Sequence, residues 1–534
     1  MKAFATLLDA LVYVPSRNAK LRLITAYLRA TPDPDRGFAL AALTDGLRFS
    51  FPVRRTLADL LAAKVDPELY RLSRDYVGDT AETVALLWPE PEPGAEALRL
   101  ADVVGALEIM DRQALGRHLE GWLNRLDATE RWALLKLLTG ALRVGVSARL
   151  AKTALAAMGT VEVDAIEEVW HGQRPPYGEL FAWLEGRAPA PDVRGAPVFR
   201  PLMLANPLET TDWAALDLAE FMAEWKWDGI RVQVAGGRGE TRLYSRSGDD
   251  IGASFPDVLS GLTLDAVLDG ELLVVRDGIV APFNDLQQRL NRRTVSRKML
   301  QAHPAHIRLY DALEIAGEDL RAQPFIERRR RLEAWHSAVK PPRTDLSPLV
   351  TAARKEDLEK LWAATRDGGI EGLMLKRRAG PYLPGRPKGH WYKWKRAPLT
   401  ADCVLMYAQR GSGKRSSLYS DFTFGVWTTA PVGDPMLVPV GKAYSGFTDA
   451  ELLRIDRFVR DHTTERFGPV RALAPELVVE VAFDAVQRSG RHKSGIAMRF
   501  PRFSRIRWDK PAAEADRLDM LVAMIAGPVP APGF

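Results

Sequence analysis

From residue 1 to about 190, apolar residues recur at three- and four-residue steps, the period of a helix that buries one face. In "RLDATERWALLKLLTGALRVGVSARLAKTALAAM" (125–158), Trp132, Leu135, Leu138 and Leu142 form one such stripe, interrupted by Gly140 and Gly145. Ser147 is placed to cap the helix that follows. "SFPVRRTLADLLAAK" and "DTAETVALLW" carry the same period. A Pro- and Gly-rich stretch, "GRAPAPDVRGAPVFRPLM" (186–203), ends the pattern. Beyond it the runs "FMAEW", "IRVQVAG", "TRLYSR", "AVLDGELLVV" and "HIRLYDALEI" are short, β-rich and separated by Gly and Asp. The helical patterns "PFIERRRRLEAWHSAV" and "KEDLEKLWAATRD" lie among them. After "RAPLT", five strand-like runs with one interposed helix, "DAELLRIDRFVRDHT", suit a small closed barrel of the OB type. The expected organisation is multidomain: an all-α N-terminal domain over 1–195, an α+β domain over 196–398 and a C-terminal OB-fold β-barrel over 399–534.

Composition narrows the class. At 534 residues the chain exceeds one core. No run of about 18 apolar residues occurs, so no membrane-spanning segment is expected, and the opening "MKAFATLLDALVYVPSRNAK" does not read as a signal peptide. The single cysteine, Cys403, excludes an internal disulfide and a multi-cysteine zinc site, and points to a cytoplasmic setting. The eight histidines are scattered, so no structural zinc is expected. A net charge of +6 permits a polyanionic partner without requiring one. "IERRRRLE" (326–333) and "NRRTVSRK" (291–298) read first as solvated helix faces, with a DNA-facing role open for the former. Arg143 and Arg149 are either ordinary surface charge or phosphate contacts. "GSGKRSS" (411–417) lacks the full phosphate-loop spacing and reads as a surface turn near DNA backbone.

The chemistry centres on "EWKWDGIRVQV" (224–234), where Lys226 sits between two tryptophans and Asp228-Gly229 supply a turn. Taken alone, this is equally a hairpin with a solvated lysine. A nucleophilic lysine must shed its proton, with an ordinary pKa of about 10.4. It also needs cations around transferring phosphate oxygens and carboxylates for a hard metal ion. Candidates follow in order: Arg231, Arg246 in "YSRSGDD", Glu271 in "LDGELLVV", Glu371 and Lys376 in "EGLMLKRR", and Lys393 and Lys395 alternating with aromatics in "HWYKWKR".

Together, "KWDGIR", "YSR", "LDGELL", "RLYDAL", "EGLMLK", "WYKWK" and "RFPRFSRIR" resemble, in order and rough spacing, the signature motifs of ATP-dependent DNA ligases over about residues 200–510. The helical part resembles the DNA-binding domain of the large replicative and archaeal-type ligases, and the layout is similar to a bacterial group associated with DNA repair. The resemblance implies that Lys226 becomes adenylated from ATP in a nucleotidyltransferase (adenylation) domain. It implies that Glu224 helps read adenine, that Arg231 and Arg246 hold ribose and phosphate, and that Glu271 and Glu371 act around the ribose and a Mg²⁺ (or Mn²⁺) ion. Tyr310 stands where the family commonly has phenylalanine, against adenine. Lys376, Lys393 and Lys395 would grip phosphate. The family's arginine about six residues before "KWK" has its nearest match in Arg386, seven before Lys393. Arg499, Arg502, Arg505 and Arg507, with Asp509 and Lys510, would reach the β/γ-phosphates when the barrel closes. The implied partner is nicked duplex DNA, encircled by a monomer during repair, recombination or replication. Three other readings stay open: an RNA-capping guanylyltransferase, an NAD-dependent ligase, and a non-catalytic DNA-end-binding scaffold. The large helical domain argues against the first and the single cysteine against the second.

Overall fold

Helices occupy the first unit, Met1–Pro201, and strands dominate the second, Leu202–Phe534. The computed structural model describes the chain except residues 48, 50, 92, 93, 95, 141, 291, 293, 365–369, 397, 411–417, 429–434, 491 and 526–534. The "GSGKRSS" turn therefore lies outside the described residues.

In the first unit, no strand occurs among the described residues. Its central helix, Ala128–Thr139, starts at a capping box between Asp127 and Glu130 and stops at Gly140, whose φ of 65° is left-handed. The expected single stripe is only part of what this helix buries. Ala133, Leu134, Leu135, Leu137 and Leu138 are all buried, as are Arg131 and Lys136, while Trp132 is half-buried and Leu142 lies past the helix end. Arg131 is tolerated because it donates to the carbonyls of Leu123, Trp88 and Pro89 at 2.7, 3.1 and 2.6 Å. Ser147 caps Ala148–Ala156 by accepting from the Leu150 amide, as its position predicts.

Two sheets build the first half of the second unit. One has the order Asn206–Pro207, Trp391–Lys395, Ile370–Arg377, Phe221–Trp227, Leu349–Val350. The other runs Glu240–Ser245, Ile230–Gly237, Ala266–Arg276, Ala305–Ile315, Glu318–Asp319, with Ile279–Val280 and Thr344–Leu346 added at its sides. The strands flanking Asp228-Gly229 therefore do not form a hairpin: Phe221–Trp227 belongs to one sheet and Ile230–Gly237 to the other. The turn carries the chain between sheets, and it requires glycine, since a Cβ on Gly229 would lie 2.5 Å from the Leu272 carbonyl oxygen and 2.8 Å from Glu271 Cγ.

The helix Phe325–Val339 corrects the reading of "IERRRRLE" as a solvated face. Each residue turns about 100° around a helix, so four consecutive arginines cannot share one side. Arg330 is exposed, but Arg328 and Arg329 are buried. Arg328 grips Asp311 through two bonds of 2.8 and 2.9 Å.

The C-terminal half is strand-rich. Leu399–Arg410, Tyr419–Trp427, Leu437–Ala443, Val478–Phe483 and Arg502–Arg507 form one sheet around Phe422, Phe424, Phe483 and Phe503, with helix Asp449–Asp461 packed on it. Two hairpins add to the expected five strands, Thr463–Phe467 with Val470–Leu473 and Ala485–Arg488 with Ile496–Arg499, the fourth expected run, "ELVVEVAFDAVQ", being split into Val478–Phe483 and Ala485–Arg488.

Candidate active site

Strand alternation assembles the site. Phe221, Ala223, Trp225 and Trp227 point into an apolar cluster with Leu373 and Leu375. The intervening Met222, Glu224 and Lys226 therefore share the opposite face. Register places Lys226 beside Gly372, Glu224 beside Met374 and Met222 beside Lys376. The next strand continues these rows with Lys395, Lys393 and Trp391. Across the cleft, Val232, Leu268, Leu272, Ile307 and Leu309 bury the far side of the second sheet. Arg231, Asp269, Glu271 and Tyr310 are thereby turned towards Lys226 and Lys376.

Glu371 reaches Lys226 through a bulge between Ile370 and Gly372. Gly372 has a φ of +149°, and a Cβ there would meet the Trp394 carbonyl oxygen at 2.1 Å. Lys226 Nζ donates to Glu371 Oε2 at 2.5 Å, and Lys395 Nζ lies 3.0 Å from the same oxygen. Burial opposes this charge, yet Lys226 and Lys395 hold the Glu371 carboxyl down at about 2. Glu271 goes the other way. Burial raises it to about 8, eased by Lys226 and reinforced by the neighbouring Glu371. Burial also raises Asp228, relieved by its ion pair with Arg499.

A cationic end and an ion-paired end result. The Lys393 ammonium is depressed by burial and then by Arg386, Lys395, Lys226 and Arg246, so five basic side chains converge there. Arg386 and Arg246 are exposed. Lys376, grouped in sequence with the phosphate lysines, lies at the other end. It is 1% exposed, its Nζ is 2.7 Å from Glu224 Oε2, and the rings of Tyr310, Trp391 and Phe325 enclose it at 4.3, 4.7 and 4.8 Å. Arg231 turns inward as well, donating to Asp269 at 2.7 Å, the Met203 carbonyl at 2.6 Å and the Tyr382 hydroxyl at 3.1 Å.

Of the C-terminal basic residues, Arg499 alone pairs with the Lys226 turn among the described residues, gripping Asp228 while its guanidinium lies 4.2 Å from the Phe283 ring centre. Arg502, Arg505 and Lys510 pair instead with Asp484, Glu480 and Asp402 at 3.8, 3.4 and 2.8 Å, and Arg507 takes Asp402 and Asp509. These residues stay on the C-terminal half because Arg499 ends one hairpin strand, whereas Arg502–Arg507 lies along Val478–Phe483. In the first unit, Arg149 is paired with Glu167 and Asp164 at 2.8 and 3.4 Å, and Arg143 is exposed.

Sequence reading missed the supporting layer: Asp269, Tyr382, Asp311, Arg328 and Arg329. Two signals were present, the four-arginine run on one helix and a second carboxylate, Asp269, two residues before Glu271 in a largely apolar strand.

The chain matches the model of the "ATP dependent DNA ligase domain" over residues 202–395 and that of the "ATP dependent DNA ligase C terminal region" over 415–510. It is 30% identical to the "Probable DNA ligase" of Koribacter versatilis, covering 97% of this chain and 95% of that protein. It is 32% identical to "DNA ligase 1" of Korarchaeum cryptofilum, covering 74% of this chain and 72% of that protein. The solved structure Pmar-Lig_Pre shares the fold, with a TM-score of 0.59 at 16% identity over 95% of this chain and 99% of that one. With a site of this form and relatives aligned over nearly its whole length, the chain belongs to the family of ATP-dependent DNA ligases.

Proposed function

We propose that this ligase seals 5′-phosphate/3′-hydroxyl nicks in duplex DNA through an AMP group carried on Lys226. The observation that carries the reading is Lys226 itself, held 2.5 Å from Glu371 at the edge of a cluster of four further basic side chains. In the first step, Lys226 Nζ attacks the ATP α-phosphorus, forming a P–N bond as the P–O bond to pyrophosphate breaks. The Lys226 proton leaves to solvent, while Glu371, held ionised, orients the amine. In the second, an oxygen of the DNA 5′-phosphate attacks the same phosphorus and the P–N bond breaks. In the third, the 3′-hydroxyl attacks the activated 5′-phosphate and AMP leaves. Each is an in-line displacement, so positioning and charge dominate the barrier.

Tyr310 and Glu224 serve the adenine, Arg231 the ribose, and Arg246, Arg386, Lys393 and Lys395 the phosphates. Lys376 moves from the phosphate group to the base end. Arg499 acts on the β/γ-phosphates when the C-terminal half, an OB-type barrel over 399–534, closes on the adenylation domain over 196–398. Among the described residues, no three His, Cys, Asp or Glu side chains form a ready-made ion cage. Glu371, ionised, and Glu271, which would release the proton that burial favours when a cation arrives, nonetheless offer two hard oxygen donors, the number with which Mg²⁺ is commonly held beside substrate phosphates. These two would hold a Mg²⁺ or Mn²⁺ ion, whose chemistry is to neutralise phosphate charge. The helical domain over 1–195 grips the duplex, so that a monomer encircles it in repair, recombination or replication. No helix of the described residues is long and apolar enough to cross a membrane, consistent with action on cytoplasmic DNA.

Nick sealing by the wild-type chain and by Lys226→Ala, each with ATP or NAD, tests this. Sealing with ATP alone, lost in the variant, is expected. Sealing that survives loss of Lys226, or that runs on NAD, overturns it.

A further inference from the structure

Arg329 lies outside every sequence motif of the site, yet its guanidinium ties together three segments that surround the base end. Its Nε donates to Glu333 on its own helix at 2.7 Å, and its Nη2 donates to the Ser347 carbonyl at 2.8 Å. Its Nη1 approaches Glu224 Oε1 at 3.4 Å. Ser347 is itself held from the site sheet, since its hydroxyl accepts from Trp227 Nε1 at 3.2 Å. Lys376 takes the other oxygen of the same carboxylate, Oε2. Glu224 is thus gripped by a different cation on each oxygen, which fixes the plane of the carboxylate as well as its place. The side chains of Glu224 and Arg329 are 2% and 5% exposed, so no water shell competes for that orientation.

We infer that Arg329 is a positioning residue that sets purine selectivity by fixing the Glu224 carboxylate. The inference rests on the reading that Glu224 faces the adenine edge. Two cations leave lone pairs on the carboxylate oxygens in a fixed direction. The 6-amino group of adenine donates to such an oxygen, whereas the 6-oxo group of guanine is an acceptor and meets it with repulsion. A carboxylate held by Lys376 alone is free to rotate about that single contact, and the discrimination weakens with it. The planar fork of arginine reaches three acceptors at once, which a lysine cannot reproduce.

Arg329→Gln, Arg329→Lys and Glu224→Gln in the full chain test this through self-adenylation, with ATP and GTP as donors. Arg329→Gln is expected to raise KM for ATP about tenfold with kcat within about twofold, and to narrow the ATP-over-GTP preference by about tenfold. Arg329→Lys recovers part of both. A purely structural arginine would lower the melting temperature and the active fraction while leaving KM and the ATP/GTP ratio unchanged, and that result overturns the inference. If Arg329→Gln does not fold, unchanged KM and ratio in Arg329→Lys overturn it equally. A ratio that shifts in Glu224→Gln but not in the Arg329 variants removes Arg329 alone. A ratio unmoved in all three removes the adenine reading of Glu224 as well.

Discussion

The two ends of the cleft use the same residue types in opposite ways. At the ion-paired end, Glu224 is buried between Lys376 and Arg329, and three aromatic rings close over the Lys376 ammonium. At the cationic end, Arg246, Arg386 and Lys393 have no acid partner among the described residues, and Lys395 shares Glu371 with Lys226. Buried charge survives only when compensated, so the ion-paired end was settled at folding and presents a fixed shape. Uncompensated cations survive only near water, so the cationic end keeps its charge unspent within the chain and, in the proposed function, free for phosphate. One end stores its electrostatics as geometry, the other as potential.

The most severe break is Lys226→Ala. Mass spectrometry after exposure to ATP and magnesium should show no adenylylated peptide, whichever end is otherwise intact. Next comes the contrast between two lysines of the same cleft, Lys376 at the ion-paired end and Lys393 at the cationic end. Lys376→Met removes the shorter of the two ion pairs on the Glu224 carboxylate, leaving it with Arg329 alone, and is expected to cost about 3–5 kcal/mol of stability. Lys393→Met is expected to leave stability within about 0.5 kcal/mol while slowing self-adenylation about 100-fold. Urea unfolding and a single-turnover assay separate the two, and equal stability losses would erase the distinction between the ends. Arg499→Ala, which frees Asp228, should slow self-adenylation about tenfold or more while sealing of a pre-adenylated nick stays within about threefold. Equal losses in both assays would mean that the contact is not specific to the first step.

The smallest effect is in pH. Glu271, raised by burial to about 8 from 4.5, keeps its proton in the folded chain after the unfolded chain has lost it. It therefore takes stability away as pH rises from about 4.5 to about 8. Glu371, held at about 2, acts with the opposite sign, adding stability above about 4.5 that is lost as pH falls towards 2. Unfolding midpoints measured across pH should show a shallower neutral-side decline in Glu271→Gln and a weaker acid-side loss in Glu371→Gln. A wild-type slope retained in both would remove these two carboxylates from the pH response.

Much of this molecule was readable from residue order. The helical period, the switch to strands near residue 200 and the cap at Ser147 are local properties, set by which side chains lie three, four or two positions apart. The site candidates could be proposed because phosphoryl transfer calls for particular residue types, and a lysine, two glutamates and a train of cations recur in an order that resembles the ligase motifs. Alternation even showed that Lys393 and Lys395 share a face. Tertiary structure alone decided which face looks at what. It sent the strands on either side of Asp228-Gly229 into different sheets. It turned Arg328 and Arg329 inward from a run that looked solvated, and it sealed Lys376 behind three rings. It also brought Arg499, but not Arg502 or Arg505, to the turn beside Lys226. Periodicity specifies direction relative to the chain, whereas pairing, burial and charge compensation depend on segments up to 271 residues apart, as Arg499 and Asp228 are. That distance is why the candidate nucleophile could be proposed from its neighbours in sequence, and its supporting layer only from its neighbours in space.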